Sequence, residues 1–594
     1  MERMYEVVIG RSESDRKELG LLGTVFLGKL YVKMGAVTSL SNKLYLDVAK
    51  AHVILICGKR GTGKCVTGDT LVRMEDGSLE EIKNLEFDKR KVQCVNKEGK
   101  IISAEKDDFF KRTVNKILKL KLSCGKEIKL TPEHPLLTEK GWKPAKELGE
   151  GVLIAHAVEK EIEINDKSTT LIEKELILAW NEIKSIEEIN GEIEVYDISV
   201  PEFHNFVAND VIIHNSYTLG VIAEEMANLP EEISHRLSVL IIDTMGIFWT
   251  MKFKNEKDEE LLDQWELPKK ALDVRIYTPA GKFEEYKAKG IPADIPFTIK
   301  PSELGAEDWT GLFGVSLLDP LGILIERSVE KARDQFDTEF EIEDIVKLVQ
   351  SDERADQQTK NAVENRFLAT KSWGIFSKDA TELKQIVEGG RVSILDISVY
   401  TEWTIKTLVV GILCKKLMRE RMAARKIEEL KDVERGHSYF RSTVEKTEGE
   451  LPIVWILIDE FHNFMSAEGK TLATDSLISI LREGRQPGVC LVMATQQPGQ
   501  LHSDVLTQTD IVICHRITAR RDVEALNSMM QSYVTGDIQK FLNNLPAERG
   551  AGVILDDNSE RLYPVRVRPR FTWHGGEAPT AVKAKGKAAL ELGL

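Results

Sequence analysis

Gly58-Lys59-Arg60-Gly61-Thr62-Gly63-Lys64 follows the apolar run His52-Val53-Ile54-Leu55-Ile56-Cys57 and has the spacing GxxxxGK. In that arrangement backbone amides cradle phosphates and the lysine reaches the outer ones. The loop needs a Ser or Thr next, whose hydroxyl meets Mg²⁺ and which opens a helix. Here the next residue is Cys65, and Val66-Thr67-Gly68-Asp69-Thr70 does not start a helix. A serine stands instead at Ser216, ahead of Tyr217-Thr218-Leu219-Gly220-Val221-Ile222-Ala223-Glu224-Glu225-Met226, which has amphipathic helical spacing. Taking out Cys65 to Asn215 leaves GKRGTGKS running into that helix. The borders carry chemistry to match. The Cys65 thiol can attack the Lys64 carbonyl to form a thioester, and the Ser216 hydroxyl can then take over the acyl group. The Asn215 side-chain amide can cyclise onto its own carbonyl and cut the bond to Ser216. The segment reads as one that removes itself without metal or nucleotide.

A second set of reactive groups lies further on. Ile453-Val454-Trp455-Ile456-Leu457-Ile458-Asp459-Glu460 is a buried-strand run ending in two carboxylates. After a phosphate loop, Asp459 fits the Mg²⁺ shell and Glu460 the polarising of an attacking water; a strand-end helix cap is the alternative. The next strand delivers Gln496 within Ala494-Thr495-Gln496-Gln497-Pro498, as a γ-phosphate sensor or a simple turn. Between them, Leu481-Arg482-Glu483-Gly484-Arg485 offers arginines for transition-state charge, Arg485 first and Arg482 second, against surface ion pairs.

The elements that position these groups alternate. Apolar runs at Val53–Cys57, Val239–Asp243, Val392–Ile397, Ile453–Asp459, Val489–Thr495 and Ile511–His515 are separated by helical patterns, which predicts a doubly wound parallel sheet of α/β class. Residues 303–378 turn helical and are expected to form an all-α insertion. Segment 415–426 is a basic helix, either a DNA contact or a solvated face, and 427–450 reads as a surface loop. Alternating Leu118, Leu120 and Leu122 mark the excisable segment as β-rich.

At 594 residues, several domains are required. No apolar run approaches the ~18 residues of a membrane span, and the N-terminus lacks a signal-peptide core, so a cytoplasmic location with no membrane partner is expected. The net charge of −15 does not advertise nucleic-acid binding, though it says nothing of a basic channel in an assembly. The seven cysteines form no CxxC pair and read as reduced thiols.

Two resemblances follow from these motifs. Residues 65–215 resemble a mini-intein of the Hint fold: Cys65…Gly68-Asp69-Thr70, Thr131-Pro132-Glu133-His134, Val195-Tyr196-Asp197…His204-Asn205-Phe206 and Val211-Ile212-Ile213-His214-Asn215 stand in the order of the family's blocks, with no endonuclease motif between them. The resemblance implies that His134 protonates the departing amide nitrogen with Thr131 beside it, that Asp197 relays a proton in the branch step, and that His204 and His214 serve Asn215 cyclisation. The host resembles the HerA-like branch of the HerA/FtsK superfamily, an archaeal-type DNA-pumping ATPase. It does so through Asp459-Glu460-Phe461-His462-Asn463-Phe464, Arg482-Glu483-Gly484-Arg485, Ala494-Thr495-Gln496-Gln497-Pro498, Val505-Leu506-Thr507-Gln508 before Arg516, and Leu240-Ile241-Ile242-Asp243-Thr244-Met245-Gly246. That resemblance implies a RecA-like P-loop core binding ATP and Mg²⁺, the latter at Ser216 and Asp459, with Asp243 near the nucleotide. It further implies a homo-hexamer formed after splicing, duplex DNA as substrate, and a nuclease partner by family analogy.

The expected map is a small N-terminal β-barrel at 1–50, core halves at 51–64 with 216–302 and at 379–545, the insert at 65–215, the helical insertion at 303–378, and a C-terminal brace at 546–594. The expected function is a precursor that splices Lys64 to Ser216 and yields a DNA translocase. The alternative is a protein-translocating or regulatory ATPase with an inert or cleavage-only Hint domain.

Overall fold

The computed structural model describes residues 6–34, 37–58, 66–76, 78–86, 88, 90–95, 101–104, 108–123, 126–132, 135–138, 141–145, 148–166, 169–199, 218–437, 451–515, 517, 520–530, 542, 545–546, 548 and 550–575. The chain divides into two compact units: Met1–Gly58, Tyr217–His515 and Glu524–Gly575 in one, and Lys59–Ser216, Arg516–Val523 and Gly576–Leu594 in the other.

The first unit is built on a 13-stranded sheet. Its strands are β1 (Val7–Ile9), β2 (Thr24–Met34), β3 (Val37–Asp47), β4 (Val53–Cys57), β5 (Leu237–Asp243), β6 (Val274–Pro279), β7 (Ile295–Phe297), β8 (Val392–Asp396), β9 (Ile453–Ile458), β10 (Val489–Thr495), β11 (Ile511–His515), β12 (Ala551–Asp556) and β13 (Arg561–Val567). They lie in the order β1-β3-β2-β13-β12-β11-β4-β10-β9-β5-β8-β6-β7. The eight strands from β11 to β7 are mutually parallel. Strands covered on both faces must be apolar throughout, and every residue of β4 and of β5 is buried. The core along one face joins Ile54, Ile56, Val239, Ile241, Trp455, Leu457, Val492 and Ile513 to Leu219, Ile222 and Ala223 of helix α1 (Thr218–Met226).

Residues 1–50 depart from the expected separate barrel. β2 pairs antiparallel with β13, from Gly28 opposite Val567 to Leu30 opposite Val565, and so extends the central sheet. Gly28 makes the joint possible: a Cβ there would lie 2.2 Å from the Arg566 carbonyl oxygen. The short apolar runs are thus strands at one end of the large sheet.

Between β7 and β8 lie α2 (Ala306–Phe313), α3 (Pro320–Phe336), α4 (Ile342–Ser351) and α5 (Gln357–Thr370), followed by the single turn Leu383–Ile386. Proline at the first position of α3 and the Asp356 side chain capping the Thr359 amide of α5 at 2.9 Å set their starts. The long helix α6 (Trp403–His437) runs through 427–437, where a loop is expected from polarity. Glu428 and Glu429 pair with Arg425 one turn back, and Glu428 also pairs with Arg421, so these charges stabilise helix instead of breaking it. The remainder of that expected loop, 438–450, lies outside the described residues.

Within residues 66–199 of the second unit the described elements are strands and the 3₁₀ turn Ile82–Asn84. Seven strands form one sheet in the order Asp108–Leu122, Glu127–Leu130, Val66–Thr67, Thr169–Ser199, Leu153–Asp166, Pro135–Thr138, Gly141–Pro144. The alternating Leu118, Leu120 and Leu122 all face the core with Ile128, Leu130 and Ile154, as a period-2 pattern requires.

Candidate functional site

Ligands in a parallel α/β sheet gather at the carboxyl ends of the strands. In the order β4-β10-β9, those ends are Gly58, Gln496 and Asp459-Glu460. Register fixes the neighbours: Thr495 stands opposite Cys57, and the Gly58 amide donates to the Thr495 carbonyl at 3.3 Å. The Gln496 side-chain amide donates to the Glu460 carboxylate. His462, on the turn after β9, has Nδ1 3.1 Å from Thr495 Oγ1 and 3.7 Å from Glu460 Oε2. Burial lowers the His462 pKa, with the Asp459 charge opposing, so the ring is neutral at pH 7. Glu460 has φ of +50°, a left-handed conformation that a non-glycine residue adopts at a cost. Asp459 Oδ1 accepts from the Glu460 amide at 2.8 Å. A carboxylate, a carboxamide and a neutral imidazole thus converge at the carboxyl ends of β9 and β10. His462 carries no periodic signal in the sequence; only its place after two acids at a strand end points to it.

Asp243 ends β5, next to β9, and is buried. Its carboxylate accepts from the amides of Met245 (3.2 Å), Gly246 (2.8 Å) and Phe248 (2.8 Å), which shapes the loop after the strand. Burial and the neighbouring Asp396 carboxylate push its pKa up. Lys406 of α6 reaches the Thr244 carbonyl at 3.0 Å and partly neutralises the pair.

The two arginines sit elsewhere. Arg485 is four residues before β10 and so at the opposite, amino end of the strands. There its Nη2 donates to the Gln508 carbonyl at 2.6 Å, and its Nε is 3.8 Å from Asp510. Arg482 closes helix α7 (Thr474–Glu483) and forks onto Asp504 at 2.9 and 3.0 Å. Neither reaches Glu460 within one chain.

Part of the basic stretch of α6 pairs with acids and carbonyls of the same chain. Lys415 pairs with Asp308, Lys416 with Glu303, and Arg421 is buried, donating to the carbonyls of Pro487 and Leu451.

Sequence reading missed a charged cluster under α1. Glu224 is fully buried; Arg568 and Arg570 each donate to it at 2.9 Å, and the amides of Phe571 and Thr572 at 3.2 Å. The adjacent Glu225 pairs with Arg568 Nε at 2.9 Å. It also missed His515, which closes β11 and whose Nε2 is 2.6 Å from Thr218 Oγ1 at the start of α1.

In the second unit, Val66 pairs with Leu130 on one side and Tyr196 on the other. The residues that follow Leu130 and Tyr196 are Thr131 and Asp197. Thr131 is buried and Asp197 lies in register with Phe110. Lys59, Arg60, Gly61, Thr62, Gly63, Lys64, Cys65, His134, His204, His214, Asn215, Ser216 and Arg516 lie outside the described residues, as does the Asp197 side chain.

Two family models match parts of the chain. The model for the intein splicing domain matches residues 72–215, and that for the ATPase family associated with various cellular activities (AAA) matches 404–516. Among curated relatives, a component of the A-type ATP synthase of Thermoplasma volcanium is 29% identical over 204 residues, 28% of this chain and 26% of that protein. The probable DNA double-strand break repair helicase HerA of Methanocaldococcus jannaschii is 30% identical over 200 residues, 32% of this chain and 35% of that protein. The small subunit of replication factor C from the same organism is 33% identical over 129 residues, 19% of this chain and 7% of that protein. The chain therefore spans about a third or less of the length of these relatives. Among solved structures, a DnaB intein from Synechocystis sp. PCC 6803 is 33% identical, covering 26% of this chain and 99% of that one, with a TM-score of 0.21.

The chain contains an intein splicing domain, whose chemistry is autocatalytic, and an AAA-type ATPase domain; it is an enzyme. Among the described residues no helix is long and apolar enough to cross a membrane.

Proposed function

We propose that this chain is a precursor that excises residues 65–215, joins Lys64 to Ser216, and so yields a HerA-like ATP-driven DNA translocase working as a hexamer. The observation that carries the reading is the meeting of the two host flanks: Gly58 at the end of β4 and Thr218 at the start of α1 both pack against His515, although the whole insert separates them in the chain. Their adjoining in this way supports reading them as the two sides of one phosphate loop.

Splicing proceeds through groups of the chain alone. Cys65 Sγ attacks the Lys64 carbonyl carbon, the C–N bond breaks, and the freed amine takes a proton from His134. Ser216 Oγ attacks the thioester, expelling the Cys65 thiolate and leaving a branched ester, with Asp197 relaying the proton. The Asn215 carboxamide nitrogen attacks its own backbone carbonyl, closing a succinimide and releasing the Ser216 amine, with His204 and His214 moving the protons. That amine then displaces Ser216 Oγ from the Lys64 carbonyl, leaving an ordinary peptide bond. The alignment of Val66 with Leu130 and Tyr196 supports grouping Cys65 with Thr131 and Asp197.

In the spliced host, Lys64 and the loop amides are suited to hold ATP phosphates, and Ser216 and Asp459 to share Mg²⁺. One hydroxyl and one carboxylate suit a cation that keeps waters and phosphate oxygens as its other ligands; Asp459 at the strand end, beside the Glu460–Gln496 pair, fits that donor set. The bound metal would neutralise phosphate charge. Glu460 orients and deprotonates the attacking water, Gln496 holds the Glu460 carboxylate, and neutral His462 backs the pair through Thr495.

DNA as the translocated substrate draws support from the likeness to the HerA helicase over about a third of the chain. The test is ATP hydrolysis by the host expressed without residues 65–215, with and without linear duplex DNA. Stimulation by DNA is expected. Hydrolysis indifferent to DNA at every length would favour a protein-moving or regulatory ATPase.

A further inference from the structure

Glu460 keeps a left-handed backbone, φ +50°, and its surroundings must hold it there. The turn that follows is short. The Asn463 amide and side-chain nitrogen donate to the Glu460 carbonyl at 3.0 and 3.3 Å. The amides of Phe464 and Met465 donate to the Phe461 carbonyl at 2.9 and 3.2 Å. Phe464 closes the turn and is fully buried. It is held at two points. Its carbonyl accepts from the Thr471 and Thr474 hydroxyls at 2.7 and 3.4 Å. Its ring meets Trp403, at the start of α6, edge to face, with centroids 5.6 Å apart and planes at 82°. Aromatic pairs favour that arrangement.

The start of α6 is itself anchored on β5 and β8, the two strands next to β9 in the sheet. Lys406 lies one helical turn on from Trp403, and its ammonium sits 4.7 Å from the Trp403 ring centroid. It is buried, donates to the Thr244 carbonyl at 3.0 Å, and feels the charge of both Asp243 and Asp396. Those two acids end β5 and β8 as register partners. Burial with a like charge alongside penalises both ionised carboxylates, and the buried ammonium offsets that penalty. Asp396 also accepts from the amide and hydroxyl of Ser398 at 2.9 and 2.6 Å, which fixes the loop after β8. Further along α6, a Cβ on Gly411 would lie 2.6 Å from the Leu472 carbonyl oxygen, so glycine lets the helix close on the segment that carries Thr471 and Thr474.

We infer that Trp403 and Lys406 are positioning residues for ATP hydrolysis. The acid pair of β5 and β8 fixes Lys406, and Lys406 fixes Trp403. Trp403 and Thr471 then hold the Phe464 end of the turn, so that Glu460 keeps its left-handed backbone and its carboxylate stays on Gln496. The inference rests on the reading of Glu460 as the base that deprotonates the attacking water.

The variants are made in the full chain, and ATP hydrolysis is measured on the product that expression yields, with the intact mass recorded for each. Trp403→Leu removes the ring contact; Lys406→Met keeps the length and removes the charge. A small displacement of a reacting group is costly, so each should lower kcat about tenfold with KM for ATP unchanged. Trp403→Phe, which keeps a ring, should retain most of the rate. The deciding readout is the double-mutant cycle with Glu460→Gln. Once the base is gone its placement no longer matters, so neither substitution should slow the Glu460→Gln protein further. A wild-type kcat in Trp403→Leu would overturn the inference. So would a repeat of the tenfold loss in the Glu460→Gln background, or a change confined to KM, since each describes a general structural defect. If Trp403→Leu does not accumulate, Thr471→Val tests the other hold on Phe464 by the same cycle. Wild-type hydrolysis by Glu460→Gln would instead overturn the reading of Glu460, and this inference with it.

Discussion

Glu460 is the residue on which the hydrolytic account turns. It combines a left-handed backbone, a hydrogen bond from Gln496 and a position 3.7 Å from a neutral His462. Strain of this kind persists where the surroundings impose it, and it commonly does so at reactive groups. Glu460→Gln should bind ATP as the parent does and hydrolyse it about 10²–10⁴-fold more slowly, the usual worth of a positioned general base; nucleotide binding and phosphate release, measured on the same preparation, check it. Glu224 represents the opposite case, a charge with a structural duty. It lies between Arg568 and Arg570 with no exposure, and its removal takes away a negative charge that two buried guanidinium groups share, leaving only Glu225 on Arg568. Glu224→Ala should cost about 3–5 kcal/mol in urea unfolding of the spliced host. These two acids differ in how far the sequence announces them. Glu460 follows an unbroken apolar strand and a phosphate loop, so local pattern points to it. Glu224 is one of two adjacent glutamates on an amphipathic helix, and its arginine partners stand 344 and 346 residues away, with no local sign that a tail would bury them.

At the scale of elements, the two ends of the sheet have separate tasks. The carboxyl ends of β4, β10 and β9 gather Gly58, Gln496 and Glu460. The amino ends gather charged groups: Arg11 binds Asp47 at 2.6 Å, His52 lies between Asp47 and Asp510, and Arg485 reaches Asp510. β10 has seven residues, a length of about 23 Å at ~3.3 Å each, so Arg485 acts on a nucleotide only if that nucleotide belongs to a neighbouring protomer. Arg485→Ala should bind ATP and hydrolyse it poorly, and mixing with Glu460→Gln protomers should restore part of the rate. No recovery at any mixing ratio, with hexamers present, rules out a finger in trans. Burial opposes charge on His52, yet Asp47 and Asp510 outweigh it and raise its pKa to about 9. A raised pKa means the folded state holds the proton more tightly than the unfolded one. The stability it contributes is full below about pH 6.5 and is lost as pH rises through about 9. The thermal midpoint of the host should therefore fall between pH 7 and 9.5, and His52→Gln should flatten that fall. The parallel strands β4, β5, β8, β9, β10 and β11 were legible because burial on both faces demands apolar runs. The joining of β2 to β13 was not, since it depends on close approach at Gly28 and not on any periodic pattern. The helical course of 427–437 was hidden for a related reason: its ion pairs look like loop polarity until Glu428 and Glu429 are seen opposite Arg421 and Arg425.

At the scale of the whole molecule, the account joins a splicing domain and an ATPase domain in a single chain and makes one the precondition of the other. Lys64 is followed by Cys65, so the proposed phosphate loop lacks its hydroxyl in sequence until the proposed excision. A precursor arrested by Cys65→Ala with Asn215→Ala should bind ATP far more weakly than the host made without residues 65–215, and equal affinities would show that the insert does not gate the site. The most direct measurement is the intact mass of the expressed chain. The account predicts that the 67.0 kDa species gives way to a ligated host and an excised 65–215 fragment, and that the Cys65→Ala, Asn215→Ala chain stays at full length. A wild-type chain that remains at full mass, or separates into pieces with no ligated host, would contradict it.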